Sequence, residues 1–460
     1  MKLYSARELF ELRRIPSVKP RVAYVRLFEI HGKAGLCDGS GTVWPISLAG
    51  QVPPLSELSG CIFQIEMRLS WQSGTQPSAS EIETLKIHVI GQVAGRAQTP
   101  WLTPVIPDPR SHSVLVDVEP TTQKSLFRRN ACSQRLTHLK LREELMAAVR
   151  SFFGSAGYRE FDPPTLVASG GVERYLNSFQ TEYLDHRNML TAMQLPTSPE
   201  FSLKKLVTEG CARLYAMTHA FRNQGELARH HEPEFLMLEW YRVGESFESL
   251  MIETQSLVEK LAIVSHSDVS LPAGHWPQFT VHELFKKLAH IDLAKMSDAQ
   301  VFQQSARPLS PSIVDTDTWD DVFCKLFMEL VEPFLAQQKA CFVTQYPARM
   351  GALAALNAHN PFYVDRFELY INGIEICNGY RELVDGVEYA RRVAETRTER
   401  PEVFEDPLFE NCFAVGMYPC VGNALGLDRL ISLFLRGGNL QSSVPWPFAS
   451  RFPAGSIALE

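Results

Sequence analysis

Two glutamates on either side of an Asn-Gly dipeptide are the first residues in this sequence whose spacing suggests chemistry. In RFELYINGIEICNGYREL, residues 366–383, Asn372-Gly373 is the strongest two-residue hairpin signal available. With that turn Ile371 faces Ile374, Tyr370 faces Glu375 and Glu368 faces Cys377, which makes Glu368 and Glu375 diagonal neighbours on one sheet face. Like charges so placed repel, and they are relieved by a proton on one of them or by a divalent cation, Mg²⁺ being the usual choice beside phosphates. The same pattern is compatible with a solvated hairpin whose acids are incidental.

A second constellation is LYAMTHAFRNQGELARHHEPEFLMLEWYRV, two apolar strands flanking a polar, basic loop from Asn223 to Pro233. Period-two alternation puts Phe235, Met237, Glu239 and Tyr241 on one face, an acid and a phenol beside an aromatic ring. The bland reading makes Leu236, Leu238 and Trp240 the core side and Glu239 a solvated acid. Arg222, where the loop begins, offers a guanidinium able to grip a phosphate, and is equally a common surface charge. In GMYPCVGNALGLDRLISLFLRGG a glycine-interrupted strand runs into a helix near Leu427, so Arg429 falls in the first helical turn. That end of a helix is already electropositive, and a cation there points to an anion held between them. Gly422 and Gly426 also fit simple close packing. TSPEFSLKKL, residues 197–206, reads as a helix N-terminus with Ser198 as cap and Glu200 in the first turn.

The elements that must position these groups follow from composition and periodicity. The chain has 460 residues, 45% hydrophobic and 21% charged, enough for two or three cores. No stretch has the roughly 18 to 20 unbroken apolar residues of a membrane span, and the start MKLYSARELFELRRIP lacks a secretory apolar run, so a soluble, cytoplasmic protein with no membrane partner is expected. Nine cysteines without a CxxC pair read as reduced thiols. A formal charge of −7 argues against coating nucleic acid by bulk electrostatics.

Alternation at Cys61, Phe63, Ile65, Met67 and Leu69 predicts a half-buried strand, Val22 to Ile30 and Leu85 to Ile90 predict two more, and Asp38-Gly39-Ser40-Gly41 is a turn. Residues 1–97 therefore read as a small all-β, OB-like barrel. Residues 98–124, with four prolines in QTPWLTPVIPDPRSH, read as a linker. From 125 to 460 a second domain follows: Leu141, Leu145, Val149, Phe152 and Phe153 recur at helical spacing, Gly154 and Gly157 stop that helix, and later strands come in hairpin-like pairs. The expected class is α+β with an antiparallel sheet.

Together and in this order, FRN…HEPEFLMLEWY, RFELYINGIEICNGYREL and GNALGLDRL resemble the catalytic domain of class II aminoacyl-tRNA synthetases of the lysine, aspartate and asparagine subgroup. The likeness covers roughly 125–440. It is closest to the lysyl-tRNA synthetases and their paralogues, the ligases that attach (R)-β-lysine to elongation factor P. The resemblance implies a six-stranded antiparallel sheet with flanking helices, a homodimer formed around Leu141 to Pro164, ATP and Mg²⁺ as cofactors, and adenylation of an amino-acid carboxylate.

The site roles it implies are these. Arg222 binds the α-phosphate and Arg429 the ATP tail, Glu368 and Glu375 hold Mg²⁺, Phe235 stacks on adenine, and Gly426 lies in the same nucleotide-binding motif. Ser198, Glu200, Glu239, Tyr241, Asn378, Tyr380 and Glu382 surround the amino acid. A pocket with three carboxylates suits a diamine, since each buried ammonium needs an opposite charge. Ala424 stands where the elongation factor ligases have alanine and lysyl-tRNA synthetases have glycine, and WDDVFCKLFMELVEPFL with YPARMGALA also resembles the ligases.

The expected acceptor is accordingly a protein lysine, most of all on elongation factor P, with tRNA, a small molecule or a non-catalytic paralogue as alternatives. The ligases normally have no N-terminal barrel. Here HGKAGLCDGSGTV resembles a shortened version of the synthetase barrel without the aromatic that stacks on an anticodon base, so anticodon reading is not expected. Further departures are Gln224 for a usual glutamate, Glu232 for a usual asparagine, one extra residue in that loop, and the tail NLQSSVPWPFASRFPAGSIALE.

Overall fold

A computed structural model of the chain describes residues 131–451 apart from 174, 226–230, 401–405 and 436–439, and before them the backbone of six strands. The chain divides into two compact units, residues 1–141 and 142–460. In the first, strands β1 (Arg21–Ile30), β2 (Lys33–Cys37), β3 (Val43–Ala49), β4 (Ile62–Ser70), β5 (Thr84–Ala94) and β6 (Leu115–Val118) pair in the order β1-β2-β3-β6-β5-β4, and β1 pairs with β4. The three strands expected from alternation are β1, β4 and β5. Strand β6 lies inside the segment read as a linker and pairs with β3 and β5. The turn expected at 38–41 and the proline-rich run at 98–112 lie outside the described residues.

Helix α1 (Ala131–Ser155) begins in the first unit and ends in the second. Leu145, Val149 and Phe153 recur every four residues and are fully buried. Phe153 stacks on Tyr215 and leans on Trp240, which fixes the helix against one face of the main sheet. Gly157, at φ +76°, supplies the left-handed turn that ends this segment.

The sheet then builds from β7 (Arg159–Glu160), the separate hairpin β8 (Gln180–Leu184) and β9 (Leu190–Gln194), helix α2 (Glu200–Thr208), β10 (Arg213–Phe221), β11 (Glu234–Val243) and helix α3 (Phe247–Ser265). After β12 (Gln278–Thr280) come helices α4 (Val281–Leu288), α5 (Ala299–Ala306) and α6 (Trp319–Leu326), whose rings Phe285, Phe302, Trp319 and Phe323 form a core of their own. Strands β13 (Ala340–Thr344), β14 (Arg366–Ile371) and β15 (Ile374–Arg381), helices α7 (Gly386–Glu399) and α8 (Pro407–Val415), β16 (Cys420–Gly426) and helix α9 (Leu427–Phe434) complete it.

The strand order is β12-β13-β14-β15-β16-β11-β10-β7. The six inner strands are antiparallel, as expected. The sheet as a whole has eight strands, because the short β12 and β7 add in parallel at its two edges.

The hairpin at Asn372-Gly373 forms as predicted, with both residues at positive φ, 51° and 78°. Its register departs from expectation in one place. Ile371 pairs with Ile374 and Tyr370 with Glu375, but a bulge follows and Glu368 lies opposite Asn378 instead of Cys377. One face of the sheet then carries Phe367, Leu369, Cys377, Gly379, Asn423, Leu238 and Trp240 against α1 and α3. Phe367 meets Phe247, and Asn423 donates to Thr254 Oγ1 at 2.8 Å. The other face carries Glu368, Asn378, Tyr380, Gly422, Ala424, Glu239 and Tyr241, paired in register across four strands.

The start of the second unit is tied to helix α9 by a buried ion pair. Arg142 on α1 donates to Asp428 on α9, whose other oxygen accepts the Leu236 N–H at 2.7 Å. Arg142→Leu leaves that carboxylate buried without its cation. We expect a loss of about 3–5 kcal/mol in urea unfolding, with an unchanged denaturant slope.

Candidate active site

On the exposed face of the sheet lies a cavity of about 490 Å³. Every residue assigned a nucleotide, metal or amino-acid contact from the sequence lines it, from Ser198 and Glu200 on the loop and helix at one end to Gly426 and Arg429 at the other. Glycine and alanine in β16 keep its floor low. A Cβ at Gly422 would lie 2.4 Å from the Tyr241 ring and 2.5 Å from Glu382 Oε1, so the backbone there must stay bare for those two side chains to meet over it.

One end is cationic. Arg222 follows β10, its N–H donating to the Pro233 carbonyl at 2.8 Å, and its guanidinium lies 5.0 Å from the centre of the Phe235 ring. Arg222 Nε is buried and makes no hydrogen bond. Arg429 stands in the first turn of α9 as expected; its Nη1 donates to the Glu375 carbonyl at 2.6 Å and lies 3.6 Å from Glu375 Oε2. The anion that this electropositive position calls for is thus in part Glu375 itself.

Glu368 is held from three sides. Tyr370 donates to Oε2 at 2.6 Å, Tyr346 donates to the same oxygen, and Arg366 pairs with Oε1. Burial and the charge of Glu368 push the Glu375 carboxyl up, while Arg429, Arg222 and Arg366 pull it down. Among the described residues no group of three or more His, Cys, Asp and Glu could enclose a metal. The donors present, the Glu375 carboxylate and the Glu368 Oε1 that Arg366 shares, fit a hard cation with oxygen ligands.

The other end is acidic. Glu239 accepts the Tyr241 hydroxyl at 2.6 Å through Oε1, and its Oε2 is buried with no partner. Burial and the charge of Glu200 hold the Glu239 carboxyl well above the usual range. Burial likewise pushes Glu382 up to about 7, against the pull of Lys204. Asn378 donates to the Tyr380 hydroxyl at 2.8 Å and accepts from Arg366 Nε at 3.0 Å, bridging the acidic and cationic ends. Ser198 is not the helix cap that the sequence suggested. Pro199 holds that position without a side-chain bond, and Ser198 Oγ instead accepts the Glu200 N–H at 3.2 Å.

Three lining or supporting residues escaped the sequence reading, and a fourth, Gly422, was read only as a packing glycine. Arg366 was readable as a cation two residues before Glu368 on the same strand face, and Lys204 as the helical i+4 neighbour of Glu200. Gly422 carried a signal only as a glycine in a strand. Glu173, in the segment after Gly170-Gly171, carried none; burial and Glu200 raise its carboxyl. Of the departures in the loop after β10, Gln224 adopts φ +57° and accepts from Asn177 Nδ2 at 3.0 Å. Glu232 accepts the Phe448 N–H at 2.7 Å, and Glu234 pairs with Arg451, so the tail meets the start of β11.

Residues 122–450 match the family described as tRNA synthetases class II (D, K and N). The chain is also similar to proteins named elongation factor P–(R)-β-lysine ligase. That of Hamiltonella defensa subsp. Acyrthosiphon pisum (strain 5AT) is 31% identical over 322 residues, 68% of this chain and 96% of that protein. The one from Pseudoalteromonas translucida (strain TAC 125) is 32% identical with the same coverage. The one from Vibrio vulnificus (strain YJ016) is 33% identical over 324 residues, again 68% of this chain and 96% of that protein.

Proposed function

Because the chain belongs to the class II tRNA synthetases of the aspartate, lysine and asparagine group, we propose that it is an ATP-dependent, AMP-forming ligase. It activates lysine or β-lysine and transfers it to a lysine side chain of a protein, elongation factor P. The observation that carries the reading is the polarity of one cavity: three buried carboxylates, Glu200, Glu239 and Glu382, at one end and two guanidiniums, Arg222 and Arg429, at the other. A diamino acid has ammonium groups for the first end and a carboxylate to present towards a phosphate at the second. The acceptor is proposed from the relatives, which the chain matches over nearly their whole length, and from Ala424.

In this reading an oxygen of the amino-acid carboxylate attacks the α-phosphorus of ATP in line, and the bond to the bridging oxygen breaks to release pyrophosphate. Arg222 offsets charge on the α-phosphate oxygens, Phe235 offers its face to adenine, and Arg429 holds the polyphosphate tail. Glu368 and Glu375 would hold Mg²⁺, which supplies charge neutralisation at the phosphates. The acceptor amine then attacks the carbonyl of the mixed anhydride and AMP leaves.

The six-stranded N-terminal unit precedes almost all of the family match. We propose that it is OB-like and serves stability, protein recognition or an RNA other than a lysine anticodon. We propose a homodimer formed around Leu141 to Pro164; the hairpin β8–β9, outside that segment, exposes Tyr183, Leu184, Met189 and Leu190 together as a further apolar patch. Among the described residues no helix is long and apolar enough to cross a membrane, and we place the enzyme in the cytoplasm with its acceptor.

The acceptor is tested by adding enzyme, ATP and labelled lysine or β-lysine to a bacterial lysate. Label that survives RNase and runs on one protein band is expected; label released by RNase would make the enzyme a lysine-tRNA ligase. Arg222→Ala is expected to reduce amino-acid-dependent pyrophosphate exchange at least a hundredfold with an unchanged circular dichroism spectrum.

The pH dependence follows from Glu382, which must be ionised to hold an ammonium and is pushed up to about 7. As pH falls through about 7 the carboxylate is lost from the free enzyme. The kcat/KM for the amino acid should fall towards tenfold per pH unit below that point and level off above it. In Glu382→Gln we expect a lower plateau without this limb; a variant that keeps both would refute the assignment.

A further inference from the structure

Behind the acidic end of the cavity lies a cation to which the proposed chemistry gives no part. Lys204, on α2 one turn after Glu200, is 1% exposed. Its Nζ lies 2.6 Å from Glu200 Oε1 and 2.5 Å from Glu382 Oε2, and 5.9 Å from the centre of the Tyr241 ring. It does not line the cavity and reaches the two carboxylates from the core side. The other titratable groups that face it are Glu239 and Tyr241 on β11, Glu173 in the segment before β8 and Cys420 at the start of β16.

We infer that Lys204 is a built-in counter-cation that sets the charge of the amino-acid pocket to match a ligand carrying two ammonium groups. The inference rests on the reading above and names what in this site selects that substrate class. Three adjacent buried carboxylates cannot all remain ionised without compensation. With all three ionised and one fixed cation among them, Glu200, Glu239 and Glu382 carry a net charge of two negative units, the complement of a diamino acid's two ammonium groups; in the empty site burial and Glu200 keep the proton on Glu239, which releases it to solvent as an ammonium arrives. Glu173, the fourth acid nearby, is pushed up by burial and Glu200 against the pull of Arg222, Arg366 and Lys204, which keeps it from adding to that charge.

Burial alone would strip the proton from Lys204, but Glu200 and Glu382 more than reverse that, and its ammonium stays charged at every working pH. The ion pairs fix one oxygen of Glu200 and one of Glu382 from beneath. This is a positioning role: Lys204 touches no reacting atom, and its effect passes through the two carboxylates.

The role separates from a merely structural one by pH, by kinetics and by chemical rescue. In Lys204→Met the acids lose their counter-charge and need a higher pH to ionise. The KM for lysine or β-lysine at pH 7 is expected to rise at least tenfold, with the KM for ATP unchanged within twofold. The acidic limb of kcat/KM should move up by about one pH unit. A limb and a KM that stay where they were would overturn the inference.

Lys204→Ala gives a readout that needs no catalysis. Propylamine is expected to raise its melting temperature by several degrees while leaving the parent enzyme unmoved, and propanol, equal in size and uncharged, should do neither. An equal response to propanol, or none to the amine, would reduce Lys204 to a packing residue. If the parent enzyme activates no diamino acid, the functional reading falls, whereas the amine-dependent melting still decides whether Lys204 supplies the pocket's charge.

Discussion

A regular β-strand alternates its side chains with a period of two, so Glu375 on β15 and Glu382 just past its end, an odd number of positions apart, belong on opposite faces of any unbroken sheet. The site requires them on the same face. A single inserted residue in β15 reconciles the two: Tyr370 pairs with Glu375, Leu369 with Cys377, and Ile376 is the extra position. Before the bulge the open face takes Glu375; after it the face takes Asn378 and Tyr380 and the chain runs on to Glu382. Without it, Cys377, Gly379 and Arg381 would replace them, and the cationic and acidic ends of the cavity could not share one floor.

Once that parity is set, the back of the sheet can be dry and the front charged. Gly379 faces the packed side, where a Cβ would come within 2.5 Å of the Phe367 ring. Asn423 between Thr254 and Cys377 is among the few polar side chains on that side. The front gathers acids whose charge is answered locally: the buried Glu368 by Arg366 and two phenols, the half-exposed Glu375 by Arg429, and the buried Glu200 and Glu382 by Lys204. Burying so many ions is costly unless each has a partner. Glu239 Oε2 and Arg222 Nε are left without one, and they stand at opposite ends of the cavity. An amine and an anion are the ligand groups that would complete them.

Much of this was legible in the sequence because it rests on local rules. The Asn-Gly turn fixed the hairpin, alternation put Phe235, Met237, Glu239 and Tyr241 on one face, and the glycine-punctuated run into Leu427 placed Arg429 in a first helical turn. What stayed hidden depends on register and on contacts between distant segments. Ile376 looks like any other strand residue, so the bulge that moves Glu368 from Cys377 to Asn378 left no mark. Lys204 was read as part of a capped helix because its second partner, Glu382, is far away in sequence. The parallel edges β7 and β12 are too short, at two and three residues, for any pattern to show. Ser198 has the side chain of a cap, but Pro199 displaced it by one position.

The departures around β11 fall into place through the same long-range logic. A carboxylate at position 232 meets a burial cost, and the Phe448 N–H and Arg451 offset it. Arg451 also pairs with Glu234, Asp428 takes the Leu236 N–H, and the Pro233 carbonyl takes the Arg222 N–H. Glu232, Pro233, Glu234 and Leu236, on either side of Phe235, are therefore anchored by groups from the tail, from α9 and from the end of β10. Phe235 and Arg222 are the pair proposed above to take adenine and the α-phosphate, and they lie 5.0 Å apart, guanidinium to ring centre. The tail and the glutamate at 232 thus act as one feature, in which the chain's last described turn supports the strand that carries both ends of the cavity.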